Sequence, residues 1–182
     1  VKITIVTSNE NKAREVAAFF GDRVEVCHVA LECPEFRDNN VGNIAREKAR
    51  FAYEQLKIPV IVDDTGFFIE SLNGFPGPYA AYVLDTIGMS GILRLMEGVD
   101  NRGAYFETAI AYADQNGIWI FSGRLEGEIV NPRGTGGFGY DPIFEVDSKT
   151  LAEIDLQEKA LISHRGRALA AFGKWVDEEL LR

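Results

Sequence analysis

The sequence predicts an α/β protein with a central mixed sheet and flanking helices, and three observations carry that reading. Its first third alternates short β-branched runs with stretches of helical periodicity. Two long segments rich in strand formers then meet around a turn signal, and the chain closes on an amphipathic stretch. Strand-helix-strand-helix-strand, then a hairpin, then a helix, is the order of a parallel sheet with an antiparallel addition.

Each element has its own justification. Lys2 to Val6 is a short β-branched run that reads as a buried strand, and the polar turn Thr7-Ser8-Asn9-Glu10-Asn11 ends it. Lys12 to Phe20 sets Val16, Phe19 and Phe20 at helical spacing and stops at Gly21. Val24 to Val29 alternates as a second strand. From Asn40 to Leu56 the residues Val41, Ile44, Ala45, Ala49, Ala52, Tyr53 and Leu56 keep the helical repeat. Pro59 to Val62 is a third strand, expected to close on Asp63-Asp64. Residues 71 to 81, broken by Gly74, Pro76, Gly77 and Pro78, read as loop, and Gly91 to Met96 as a short helix. Ala104 to Ala113 and Ile118 to Val130 form a hairpin around Asp114-Gln115-Asn116-Gly117. A glycine-rich loop spans Gly134 to Gly139, and Ser163 to Leu180 makes the last helix.

The totals narrow the function. A chain of 182 residues, 46% hydrophobic and 26% charged, suits a single globular domain over residues 1–182 that needs no disulfide or structural metal to fold. Cys27 and Cys33, beside His28, lack a further soft ligand at zinc spacing and read as reduced thiols. The net charge of -9 argues against a nucleic-acid polymer as partner, while leaving small anions open. No apolar run reaches membrane-spanning length, and Val1 to Val6 is too short for a secretory signal. The expectation is a cytoplasmic protein with no membrane partner.

Four polar constellations stand at the ends of these elements, where ligand sites of α/β proteins gather. Thr7-Ser8-Asn9-Glu10-Asn11-Lys12 offers helix-start N–H groups, hydroxyls, amides and a lysine, a set able to cradle polyphosphate. It has no Walker glycines, and its caps alone would also start a helix. Asp63-Asp64-Thr65-Gly66 puts two carboxylates after an apolar run. Burying both ionised is costly, and a divalent cation such as Mg²⁺ removes that cost. Neighbouring strand residues face opposite ways, so serving one ion together requires that the strand end there.

Gly134-Thr135-Gly136-Gly137-Phe138-Gly139-Tyr140-Asp141-Pro142 contains a literal G-x-G-x-x-G, but Pro142-Ile143-Phe144 follows where the dinucleotide fingerprint needs a helix. What remains is a pliant loop presenting Phe138, Tyr140 and Asp141, suited to a flat base, or a bulge with core aromatics. Finally, Glu158-Lys159 leads to Ser163-His164-Arg165-Gly166, with Ser163 able to cap the last helix. Cations at a helix start oppose its dipole, which points to an anionic or acceptor-rich partner, solvated surface cations being the alternative.

In this order the pieces resemble the inosine triphosphate pyrophosphatase family. They are Thr7-Ser8-Asn9-x-x-Lys12, Asp63-Asp64-Thr65-Gly66, Gly74-Phe75-Pro76-Gly77-Pro78-Tyr79, Phe138-Gly139-Tyr140-Asp141-Pro142-Ile143-Phe144 and Ser163-His164-Arg165-Gly166, spanning positions 7 to 166. The resemblance implies hydrolysis of inosine, xanthosine and deoxyinosine triphosphates to monophosphate and pyrophosphate, Mg²⁺ as cofactor, two lobes around a cleft, and commonly a homodimer. It also implies roles. Thr7, Ser8, Asn9, Glu10, Asn11 and Lys12 would hold the triphosphate, with Lys48 as a further phosphate contact. Glu35 would join Asp63 and Asp64 at the metal, Glu32 being its rival. Asp64 would be the metal-linked general base and Thr65 a substrate contact. Phe138, Gly139, Tyr140, Asp141, Lys159, His164 and Arg165 would surround the purine. Ala160 stands where the family usually has Asn, and Ala80 and Ala81 where a serine is often seen. The related pyrophosphatases for modified pyrimidine nucleotides fit the purine-type motifs less well, and a non-catalytic binder would gain nothing from the acid pair.

Overall fold

The computed structural model describes residues 1–181, without the side chain of Asn11. The elements run β1 (Lys2–Val6), α1 (Glu10–Phe20), β2 (Glu25–Val29), α2 (Val41–Leu56), β3 (Val60–Ile69) and β4 (Pro76–Gly77). They continue with α3 (Ala80–Thr86), α4 (Gly88–Leu95), β5 (Gly103–Asp114), β6 (Gly117–Ile129), β7 (Phe144–Val146), β8 (Lys149–Thr150), α5 (Leu156–Ile162) and α6 (His164–Glu179). The strands make one sheet in the order β2-β1-β3-β5-β6-β7-β8, with β4 attached to β3. β1 pairs in parallel with β2 (Val6 opposite Val29) and with β3 (Ile5 opposite Ile61), whereas β7 pairs antiparallel with β6 and β8. The mixed sheet expected from the element order is what forms.

The chain divides into two compact units. The first comprises residues 1–64, 108–123 and 167–182, the second 65–107 and 124–166. In the first, Ile3, Ile5 and Ile61 of the strands meet Ala13, Val16 and Phe20 of α1 and Ala168, Leu169, Phe172 and Val176 of α6. Phe20 and Phe172 touch edge to face with ring centres 5.7 Å apart, and truncating such a buried ring costs about 3–5 kcal/mol. Alternation along β3 turns Ile61 and Asp63 toward α1, and Val62 and Asp64 the other way. α2 covers that second face, its Gly42 lying against Ile120. The second unit has a core of Phe67, Ile69, Ile92, Met96, Phe106, Ile143 and Phe144, with Tyr140 among them.

Several elements depart from the expectation. α1 starts at Glu10, two residues early, and ends as foreseen with Gly21 in the left-handed region (φ 54). The loop expected over 71–81 contains β4 and leads straight into α3; the prolines and glycines of that segment hide a helix whose Ala80, Ala81 and Leu84 are good formers. α4 is longer than the helix read over Gly91 to Met96. α5 was not foreseen, although Asp155-Leu156-Gln157-Glu158 is an N-terminal capping sequence and Asp155 accepts from Glu158 N–H at 2.7 Å.

The correction with the most consequence concerns β3. It does not close on Asp63-Asp64 but runs through both to Ile69. Charges were read as a strand end; here each is answered by a lysine, so the ladder continues.

Candidate active site

The first unit assembles two lysine-aspartate pairs on opposite faces of β3. Lys12, in the first turn of α1, places Nζ 3.0 Å from Asp63 Oδ1. Lys48, from the third turn of α2, places Nζ 2.9 Å from Asp64 Oδ1. α2 is fixed by Asn40, whose side chain accepts from Gly42 and Asn43 N–H, so Lys48 projects from a well-anchored helix. Glu35 lies near enough to act electrostatically on Lys48. The structure thus pairs Lys48 with Asp64 and Lys12 with Asp63, with Glu35 and Asp63 both acting on Lys48. Among the described residues no three of His, Cys, Asp and Glu form a group able to hold a metal. The expectation that Asp63 and Asp64 serve one ion side by side fails its own condition, because the strand does not end between them.

Electrostatics single out Asp64. Burial is the largest influence and pushes its carboxyl above the ordinary aspartate range, against the opposing pull of Lys48. Burial also weighs most on Lys48, in the lowering direction, yet Asp64 followed by Glu35 and Asp63 together lift it, so it stays an ammonium. Asp64 Oδ1 is occupied by Lys48, while Oδ2 is buried and has no hydrogen-bond partner. A buried carboxylate oxygen of this kind calls for a cation or a water. One or two carboxylates completed by substrate phosphates is the usual protein contribution to a Mg²⁺ shell. Glu35 and Asp64 fit that requirement.

The turn before α1 is built from its own backbone. Thr7 Oγ1 accepts from Asn9 N–H at 3.1 Å, and Asn9 O receives Ala13 N–H at 3.4 Å. Ser8 and Asn9 are exposed. Glu10 turns its carboxylate onto Arg14 at 3.2 Å, so it presents a surface ion pair. The side chain of Asn11, expected among the phosphate ligands, lies outside the described residues.

The second unit gathers most of the residues expected around a base. Asp141 is buried, and its Oδ2 accepts from Phe138 N–H at 2.9 Å and from Lys159 Nζ at 2.5 Å. The same Nζ stands 4.1 Å from the centre of the Phe138 ring, whose side chain is 69% exposed. Tyr140 is buried: its ring lies 4.7 Å from Phe67 and its hydroxyl donates to Ala80 O at 2.6 Å. Burial, with Asp85 nearby, pushes that hydroxyl up to about 12. His164 stacks on Phe106 at 5.1 Å, and Phe106 on Phe67 at 4.5 Å. Ser163 Oγ accepts from Gly166 N–H at 3.0 Å and caps α6 as the sequence suggested. Thr65, Gly139 and Arg165 are half-buried in the same unit. Gly137 explains the glycine run: its φ is 67, and a side chain there would collide with the Asp141 carboxylate. Phe138 thus offers an accessible aromatic face beside the Lys159 ammonium, and the same unit holds an aromatic stack that ends in His164.

Comparison with known proteins shows the family. The Ham1 family model matches residues 3–175. The chain belongs to the Ham1 family. It is 46% identical over 182 aligned positions to a dITP/XTP pyrophosphatase of Methanopyrus kandleri, covering 96% of each chain. It is 43% identical to inosine triphosphate pyrophosphatase 2 of Trypanosoma cruzi, covering 93% of this chain and 89% of that one. Among solved structures, the Staphylococcus aureus Ham1 protein superposes with a TM-score of 0.90 at 28% identity, covering 98% of this chain and all of that one. This Ham1-family chain carries both the lysine-aspartate pairs and the aromatic cluster described above.

Proposed function

We propose that the protein hydrolyses aberrant purine nucleoside triphosphates (those of inosine, deoxyinosine and xanthosine) to the monophosphate and pyrophosphate, with Mg²⁺ as cofactor. The observation that carries the reading is Asp64, a half-buried carboxylate raised in pKa, held at one oxygen by Lys48 and with its other oxygen buried and unpartnered. Pyrophosphatase names among relatives at 42–46% identity support it.

The residues take distinct parts. Glu35 and Asp64 would hold Mg²⁺, which when bound neutralises phosphate charge and favours ionisation of a coordinated water. Asp64 Oδ2 accepts the proton of the water that attacks the α-phosphorus. The bond from that phosphorus to the bridging oxygen breaks, and pyrophosphate leaves against Lys12 and the N–H groups that open α1. Asp63, first expected at the metal, instead keeps Lys12 in place until phosphate oxygens replace it. Thr65 and Lys48 make further substrate contacts.

For the base, Phe138 supplies the stacking face, while Tyr140 and Asp141 act from beneath by fixing the loop and Lys159. Arg165 and His164 donate to the 6-oxo group. Hypoxanthine accepts at that position and adenine donates, so donors alone disfavour adenosine triphosphate. Incubation with inosine triphosphate and Mg²⁺ should release pyrophosphate, and adenosine triphosphate should release far less. Release of orthophosphate alone, or equal rates on both, would overturn the reading.

The functional molecule is proposed to be a homodimer. Phe75, Tyr79, Tyr82, Ile87 and Leu95 are exposed apolar side chains within one segment, and contacts between subunits would cover them. Sedimentation should give twice the 20.2 kDa chain mass.

A further inference from the structure

Thr7 is held at three points where β1 gives way to the turn. Its N–H donates to Val29 O at 3.2 Å, extending the parallel ladder one residue beyond Val6. Its hydroxyl accepts from Asn9 N–H. The third point is a side chain: His28 Nε2 lies 2.7 Å from the Thr7 carbonyl oxygen. His28 pairs with Ile5 in the β1–β2 register, so its ring reaches two residues along the neighbouring strand. A carbonyl only accepts, so Nε2 carries the hydrogen and His28 donates. Both the neutral Nε2–H tautomer and the imidazolium meet that demand, so the contact does not depend on the charge of the ring.

The consequence follows from peptide geometry. The Thr7 carbonyl and the Ser8 N–H belong to one planar trans unit and point in opposite directions; the one cis bond described is Phe75-Pro76. Fixing the carbonyl oxygen fixes where the Ser8 N–H points. We infer that His28 is a positioning residue for the phosphate turn, orienting the Ser8 amide toward the anionic end of the substrate through the shared peptide plane. It does not touch substrate itself. This rests on the assignment of residues 7–12 to polyphosphate, and it adds a residue outside that turn as the source of its geometry.

Three substitutions test it. The amide nitrogen of Gln stands as many bonds from Cβ as the imidazole Nε2, whereas that of Asn stops one bond short. His28→Ala and His28→Asn should each weaken pyrophosphate binding by calorimetry and raise KM for inosine triphosphate, roughly three- to tenfold, with kcat within about twofold. His28→Gln should restore both. A purely structural role would lower the melting temperature without this split and without rescue. Unchanged pyrophosphate affinity in all three variants, a fall in kcat at constant KM, or Gln behaving like Asn would overturn the inference. Failure of the parent assignment shows separately, as wild-type protein that releases no pyrophosphate from the triphosphate. Pyrophosphate affinity still reads the turn in that case, and absence of wild-type binding would overturn both.

Discussion

The first unit and the second both pair lysine with aspartate, but they do so differently. Lys12 and Lys48 are answered across elements, helix to strand, with the lysine side chains 25% and 19% exposed and their aspartates 10% and 14%. Lys159 is answered by Asp141 with side-chain exposures of only 10% and 6%, and that same carboxylate also closes the turn at Phe138. An anion arriving from solvent can compete for the first two lysines. The third pair is a buried lock that gives a glycine-rich loop its shape. On the proposed reading, one ion-pair chemistry yields an exchangeable phosphate contact in one place and a structural clamp in the other.

The largest effect that can break this comparison lies at the exchangeable side. Asp64→Asn keeps the size of the side chain but removes its charge and basicity. Loss of a positioned general base should lower kcat by about 10²–10⁴ at saturating Mg²⁺, with a melting temperature close to wild type. A variant within a few-fold of wild-type kcat would take Asp64 out of the chemistry and leave it a partner for Lys48.

Stability separates the two kinds of pair next. Lys159→Met strands the Asp141 carboxylate in the interior, and breaking a buried pair from one side costs about 3–5 kcal/mol. Lys12→Met removes a more accessible partner and should cost about 1 kcal/mol or less, while weakening pyrophosphate release kinetics through KM and kcat together. Urea melts of the two variants decide the point. Equal destabilisation would mean that the Lys12 pair is also structural and that phosphate does not displace it.

Much of this was legible in the sequence, for physical reasons that differ by residue. The β1–turn–α1 unit could be read because a β-branched run, cap-forming residues and helical spacing follow one another within about twenty positions. The mixed sheet followed from element order. The fate of Asp63 and Asp64 could not be read, because whether two charges end a strand depends on lysines from two different helices, 51 and 16 positions away. Tyr140 and Asp141 looked like base contacts for a similar reason. Nothing local shows that the Tyr140 hydroxyl finds Ala80 O or that the Asp141 carboxylate is taken by Phe138 N–H and Lys159. His28 reads only as a neighbour of Cys27, since its partner is a backbone carbonyl in the turn after β1 and leaves no trace in sequence.

The finest test of the contrast is titration, because it shifts charge without removing a reacting group. Burial raises Asp64, and Lys48 is the main influence holding it down. In the metal-free protein its carboxyl should titrate above the ordinary value of about 3.9. A carboxyl raised by burial is protonated more readily, so the fraction able to act as base falls as pH drops through that elevated pKa. Lys48→Met takes away a positive neighbour, which disfavours the ionised form and should move the midpoint further up. Mg²⁺ should move it down in both proteins, since a cation favours the carboxylate. Carbon-detected NMR of labelled aspartate, assigned with Asp64→Asn, reads all three shifts without any turnover. A midpoint at or below the ordinary value would mean that water reaches Asp64 freely, and an unmoved midpoint in Lys48→Met would mean that the pair does not persist in solution. The first result would place Asp64 on the same footing as a surface aspartate, and the second would remove Lys48 as the partner that keeps its carboxylate ionised.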